Sequence, residues 1–222
     1  LALLVGIVIG CVCGWINGFL ITYYKLQPFI ATLAMTYVLK GIVQIYTNGQ
    51  TIGGVNKARF LGHGSILGIP VPVLIMLLSV IVIAVLMKST KFGTYIYAIG
   101  GNEQAAEVSG VNTKKTKIII YVTATALYAI AGFLLGAKSG GAGVNTGNGY
   151  ELEAIAACTI GGVSVNGGIG RISGVIIGVL VFEFLKTCLQ FLGIDPNYQY
   201  IAQGIVIVVA IALDIRKYIA KK

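Results

Sequence analysis

Charge is what this sequence has least of. Only 10% of its 222 residues are Asp, Glu, Lys or Arg, and seven are acidic, against about 25% charged residues in a soluble domain. That shortage excludes a solvated globular surface over the whole chain. No GxxxxGK[ST] occurs, so the chain cannot cradle nucleotide phosphates in a P-loop. The glycines between Gly161 and Gly170 miss the GxGxxG spacing, and no strand precedes them. The single histidine, His63, has no neighbouring Cys, Asp or Glu and reads as a surface residue. The four cysteines, Cys11, Cys13, Cys158 and Cys188, sit in apolar surroundings without metal or disulfide spacing. They read as small buried hydrophobes. No pair of membrane carboxylates is placed like a proton relay, and Glu183 is the only acid well inside a span. No catalytic centre, metal site or cofactor is therefore expected on this chain, nor an energy source of its own. The opening LALLVGIVIG has no Met and no basic n-region, and it runs on into Phe19–Tyr24. It reads as a span of a chain with earlier spans before it, not as a signal peptide.

Apolar residues are abundant instead: 57% of the chain, with a mean hydropathy of +0.91. The 31 glycines are about twice the usual share, without a collagen-like period. These features predict an all-α, polytopic transmembrane helix bundle of about six crossings. Its helices pack through glycine stripes, and one of them is interrupted. The predicted spans are Leu1–Tyr23, Pro28–Tyr46, Pro70–Met87, Ile118–Ala137, Ile172–Leu192 and Tyr198–Leu213, with the glycine-broken segment Glu151–Gly170 between the fourth and the fifth. Gly6, Gly10, Gly14 and Gly18 recur every four residues, as do Gly170, Gly174 and Gly178. Each set forms one smooth helix face on which another backbone can lie closely. Segment 151–170 is broken at Gly161–Gly162 and Gly167–Gly168. Such a break is tolerated at membrane depth only when shielded by protein or beside water; a packed helix hairpin fits the pattern as well.

Polar residues within the spans are few. Thr32, Thr36, Lys40 and Gln44 share one face of the second span, and Asn17 lies in the first. They are candidates to line a hydrophilic path, and hydrogen bonding between helices is the other reading. Glu183 and Lys186, three residues apart, are expected to pair on one helix face. The net charge of +9 collects at span ends rather than on a face shared with aromatics, which argues for membrane orientation and against nucleic acid. Placing 88–117 inside puts Lys25, Lys88, Lys91, Lys114, Lys115, Lys117, Arg171, Arg216, Lys217, Lys221 and Lys222 there too. Lys40, Lys57, Arg59, Lys138 and Lys186 remain towards the outside, and the C-terminus is then cytoplasmic. This orientation requires 151–170 to cross.

The longest polar interval, 92–117, is predicted to hold a short helix on the water side. Asn102 is a good N-cap, Glu103 suits the positive end of the helix dipole, and Gly110 suits the position past the C-terminus. Ala105, Ala106 and Ser109 make a small-residue patch bordered by Val108, fit for a close partner surface. The same pattern fits an ordinary loop helix.

GGNEQAAEVSGVN resembles the cytoplasmic coupling loop of permease subunits of ABC importers of the ribose, galactose and branched-chain amino-acid type. PFIATLAMTYVLKGIVQIYTNGQ and GYELEAIAACTIGGVSVNGGIGRISG resemble their membrane segments. The closing NYQYIAQGIVIVVAIALD is most similar to the galactose/methyl-galactoside members. The resemblance covers essentially the whole chain and implies a single transmembrane permease domain over 1–222, truncated at its N-terminus, in a bacterial inner membrane. It implies a second permease subunit, ATP-binding cassette subunits that use ATP, and a periplasmic or extracellular sugar-binding protein as partners. Gly100, Gly101, Asn102, Ala105, Ala106, Gly110 and Val111 match the motif that docks on the ATPase. Asn17, Thr32, Thr36 and Gln44 are then expected on a monosaccharide path. An ion-gradient-driven sugar carrier is the alternative, with Glu183 as its only candidate carboxylate.

Overall fold

The computed structural model describes residues 1–53 and 59–219, and the side-chain surroundings of 196, 197, 199 and 213–219 are not among what it describes. Lys57, Lys221 and Lys222 of the charge count lie outside the described residues. The chain is an all-α membrane bundle. Helix α1 spans Ala2–Tyr23, α2 Pro28–Thr47, α3 Arg59–His63, α4 Val71–Ser89, α5 Lys91–Gly101 and α6 Glu103–Val108. Then come α7 Thr113–Ser139, α8 Tyr150–Ile160, α9 Ile172–Phe191 and α10 Pro196–Ile219. Local chemistry sets these limits. Pro28 occupies the first turn of α2, where its missing N–H costs nothing. Asn48 ends that helix in the left-handed region at φ 50°. Asn112 caps α7 by accepting from Lys115 N at 3.0 Å, and Gly140 closes it at φ 74°.

Helices α1, α2, α4, α7 and α9 are long and apolar enough to cross a membrane, and α10 carries a shorter apolar stretch, Tyr200–Ala212. With 11 residues, α8 is about 16 Å long, half of the roughly 30 Å hydrocarbon core. The helical part of 151–170 therefore ends at Ile160, where Gly161 and Gly162 stop it. Segment 161–171 then turns back, with Gly162, Gly167 and Gly168 at φ 81°, 91° and 73°.

Internal contacts gather in two units. The first comprises Leu1–Ile96 and Glu107–Gly147. Its centre is the antiparallel pair α1–α7: Gly18 lies against Ile118, Gly14 against Tyr121 and Val122, and Gly10 against Thr125 and Ala129. A methyl on Gly14 would sit 2.7 Å from the Tyr121 carbonyl oxygen. A methyl on Gly6 would meet nothing within 4 Å, so the stripe engages α7 through three of its four glycines. Short helix α3 seats Gly62 on the backbone of Ala137 and Lys138. Strands β1 (Ile52–Gly53) and β4 (Gly141–Ala142) pair beside it. Between them in sequence, β2 (Ser65–Ile66) and β3 (Ile69–Pro70) form a small hairpin.

The second unit holds Tyr97–Ala106 and the chain from Asn148 onward. Here α8 and α9 run antiparallel, with Ala156, Ala157 and Phe182 buried together and Ile160, Val206 and Ile207 packed around them. Gly174 and Gly178 receive the backbone of Ala157 and Gly161. Gly170 precedes α9, and a methyl on it would meet Val163 of the loop rather than a helix backbone. It therefore belongs to the loop, not to the helix stripe, because the helix begins two residues later.

Candidate coupling segment and translocation path

Segment 97–111 is built as its side chains require. Asn102 Oδ1 accepts from Ala105 N at 3.0 Å, which caps α6. Gly110 takes φ 86° just beyond its end and donates its N–H to Glu107 O at 3.0 Å. Half of α6 is polar (Glu103, Gln104 and Glu107), but Val108 is 90% exposed, and Ala105 is exposed with it. Ala106 is only 4% exposed. Its methyl is consumed in packing within this chain, which corrects its expected place on the partner-facing patch. Val111 is half-buried.

Gly100 and Gly101 also have an intrachain task. A methyl on Gly100 would sit 2.5 Å from Gly168 N, and one on Gly168 would sit 2.8 Å from Gly101 N. Two glycine pairs thus meet backbone to backbone, and the hydroxyl of Tyr97 donates to Gly170 O at 3.1 Å beside them. Nothing in the spacing of residues 70 apart signals this contact. The amphipathic helix α5, which leads into α6, is likewise hidden in a stretch that reads as loop.

The candidate path residues separate into two groups. Thr32 and Thr36 lie on α2, where their hydroxyls donate to Pro28 O at 2.9 Å and Thr32 O at 3.0 Å. Both retain acceptor capacity for a solute hydroxyl. Gln44 is exposed on the same helix. Asn17 is 6% exposed, and its Oδ1 has no hydrogen-bond partner among the described residues. Three residues on from Gly14, it shares the packed side of α1. It is therefore buried in the packing of α1, whereas Thr36 and Gln44 on α2 lie open.

The ion pair differs from its sequence expectation. Lys186 reaches not Glu183 but Glu153 on α8, donating to both carboxylate oxygens at 2.9 Å. The Tyr150 ring centre lies 5.6 Å from the same ammonium. Glu183 is exposed on α9. A charge on an apolar helix needs a partner across the packing seam, and the acidic first turn of α8 supplies it.

Residues 1–211 match the family described as "Branched-chain amino acid transport system / permease component". The chain belongs to this permease family. A ribose import permease of Bacillus subtilis is 45% identical over 90% of this chain and 63% of its own length. The ribose import permease of Escherichia coli K12 is 38% identical over 97% of this chain and 69% of its own. The galactose/methyl galactoside import permease of the same strain is 39% identical over 100% of this chain and 68% of its own. The chain thus spans just under two thirds of the length of the Bacillus relative. No solved structure matches it. Family membership fits the five long apolar helices: this permease is a multi-pass membrane protein.

Proposed function

We propose that this permease is the membrane subunit of an ATP-driven monosaccharide importer in a bacterial inner membrane. It docks an ATP-binding cassette subunit through α6, pairs with a second permease subunit, and receives sugar from a soluble binding protein. ATP is bound and hydrolysed by the partner. The observation that carries this reading is the capped, outward-facing α6, whose Val108 is 90% exposed on a permease of this family. The names and identities of the relatives support a sugar, with ribose ahead of galactose; the closing motif alone points to galactose. Thr32, Thr36 and Gln44 serve as weak, uncharged contacts, because a path must release what it takes up. Lys25 and the Lys114–Lys117 cluster share one end of the α1–α7 pair, where Lys114 lies 5.5 Å from the Tyr23 ring. That common end supports a cytoplasmic side there.

The test is co-purification of the full-length subunit expressed with its neighbouring genes. Wild type is expected to bring an ATPase with it, and Ala105→Glu, which puts charge on the exposed face of α6, to lose it. An ATPase that binds both forms alike overturns the docking site. Wild type without any ATPase overturns the importer class and turns attention to Glu183.

A further inference from the structure

The second unit contains an unusual joint. The last turn of α5 meets loop 161–171 through Gly100 and Gly101 on one side and Gly167 and Gly168 on the other. No side chain lies between the two backbones at this point. Loop 161–171 is tied within itself: Ser164 N donates to Ile169 O at 3.0 Å, and Gly167 N to Ser164 O at 3.1 Å. Its start is seated on α9 as well, because a methyl on Gly161 would lie 2.7 Å from the Gly174 carbonyl carbon and 3.0 Å from Val175 Cα. Its end, Arg171, leads directly into α9. The joint therefore connects a segment one residue from α6 to a braced α8–loop–α9 hairpin. Backbone contact without intervening rotamers leaves little slack, since packed interfaces shift between discrete arrangements rather than deform smoothly.

We propose that the seat of Gly100–Gly101 on Gly167–Gly168, tied by the Tyr97–Gly170 hydrogen bond, carries displacement of α6 into the α8–α9 hairpin. This inference rests on the docking role of α6 and adds the residues that pass the motion on. Gly100, Gly167, Gly168 and Tyr97 are positioning residues. They touch neither sugar nor nucleotide.

A glycine outside both the joint and the docking segment provides an internal control. A methyl on Gly100 meets the backbone of Gly168, whereas one on Gly204 in α10 meets nothing within 4 Å. The full-length permease, its ATPase subunits and the binding protein are reconstituted in liposomes, and ribose or galactose uptake is read per ATP hydrolysed. Gly100→Ala and Gly168→Ala are expected to keep the ATPase bound and hydrolysing but to lower uptake per ATP by about ten-fold. Gly204→Ala stays within about two-fold of wild type, and Tyr97→Phe, which loses one hydroxyl, falls by about two- to three-fold. Unchanged uptake per ATP in Gly168→Ala overturns the proposal, as does equal damage from Gly204→Ala. If Gly168→Ala does not reach the membrane, Tyr97→Phe decides alone, since it leaves the fold intact.

A second readout needs no ATPase and separates failure of the joint from failure of the docking site. Amide hydrogen exchange of the permease in detergent is followed over 97–106 and 163–171. Tyr97→Phe or Gly168→Ala is expected to speed exchange in both segments together, and Gly204→Ala in neither. Faster exchange in only one segment overturns the mechanical link whatever the pull-down shows. A missing ATPase with coupled exchange sinks only the docking reading.

Discussion

The pairs α1–α7 and α8–α9 use the same four-residue glycine spacing, yet they hold together differently. In the first, two full-length helices lie side by side, and Gly10, Gly14 and Gly18 engage α7 along three successive turns. No ion pair is described in that seam. In the second, a half-length helix lies against a full one. Gly174 and Gly178 fix only its C-terminal end, and its N-terminal turn is fastened by Glu153 to Lys186. Long contact lets small-residue packing suffice, because each turn adds dispersion and nothing in lipid competes better. A short helix has too few turns for that. It gains hold from a charge pair whose cost is tolerable only because both groups find each other.

The largest effect is expected where backbone blocks backbone. Gly14→Val places carbon 2.7 Å from Tyr121 O and 2.9 Å from Val122 Cα, atoms that cannot rotate away. Loss of more than about 3 kcal/mol is expected, beyond ordinary overpacking, for which a rotamer change gives relief. Gly178→Val, 2.7 Å from Gly161 N, belongs to the same class. Thermal unfolding in detergent measures both. Tolerance of either substitution would mean that the helix pair is not held by its glycines.

The second expectation tests the fastening. Lys186→Met leaves the Glu153 carboxylate without its partner. The two side chains are 21% and 18% exposed, so the loss should lie between the surface and buried limits, about 1–3 kcal/mol. The double variant Glu153→Leu/Lys186→Met is expected to recover most of it, because no charge is then stranded. A double-mutant cycle on thermal stability gives the coupling. Simple additivity would show that the pair does not hold α8.

Which side of these contrasts the sequence displays depends on the range of the interaction. Span limits follow from apolar runs, Pro28 and Asn48, and α6 from the Asn102 and Gly110 signals, all of which act within a few residues. The glycine stripe is periodic and therefore visible, but its partner helix is not. Nothing near Gly14 names Tyr121, and nothing near Gly100 names Gly168. The Lys186 expectation failed for the same reason. Glu183 is the nearest acid in sequence, and Glu153, 33 residues away, is the nearest in space. Ala106 shows the limit of a local pattern too: two adjacent alanines look alike until burial separates the covered methyl from the open one.

A smaller effect is expected at the polar groups hidden in α1. Thr22 Oγ1 is buried without a hydrogen-bond partner among the described residues. Thr22→Val keeps the shape and removes the unmet hydroxyl, so thermal stability should rise by about 1 kcal/mol. A fall instead would reveal that the hydroxyl has a partner in the membrane.

The smallest effect sharpens the comparison along a single helix. Gly6→Ala adds a methyl that meets nothing within 4 Å, whereas Gly10→Ala puts one 2.9 Å from Thr125 O and 3.2 Å from the Ala129 methyl. Both gain the same helix propensity, at most about 1 kcal/mol, so the difference between them isolates packing. Gly6→Ala should therefore leave stability unchanged or slightly higher, while Gly10→Ala lowers it, in thermal unfolding of the full-length protein. Matching losses at the two positions would show that another surface covers Gly6 in the membrane. The stripe would then serve two neighbours, with α7 taking only its lower part.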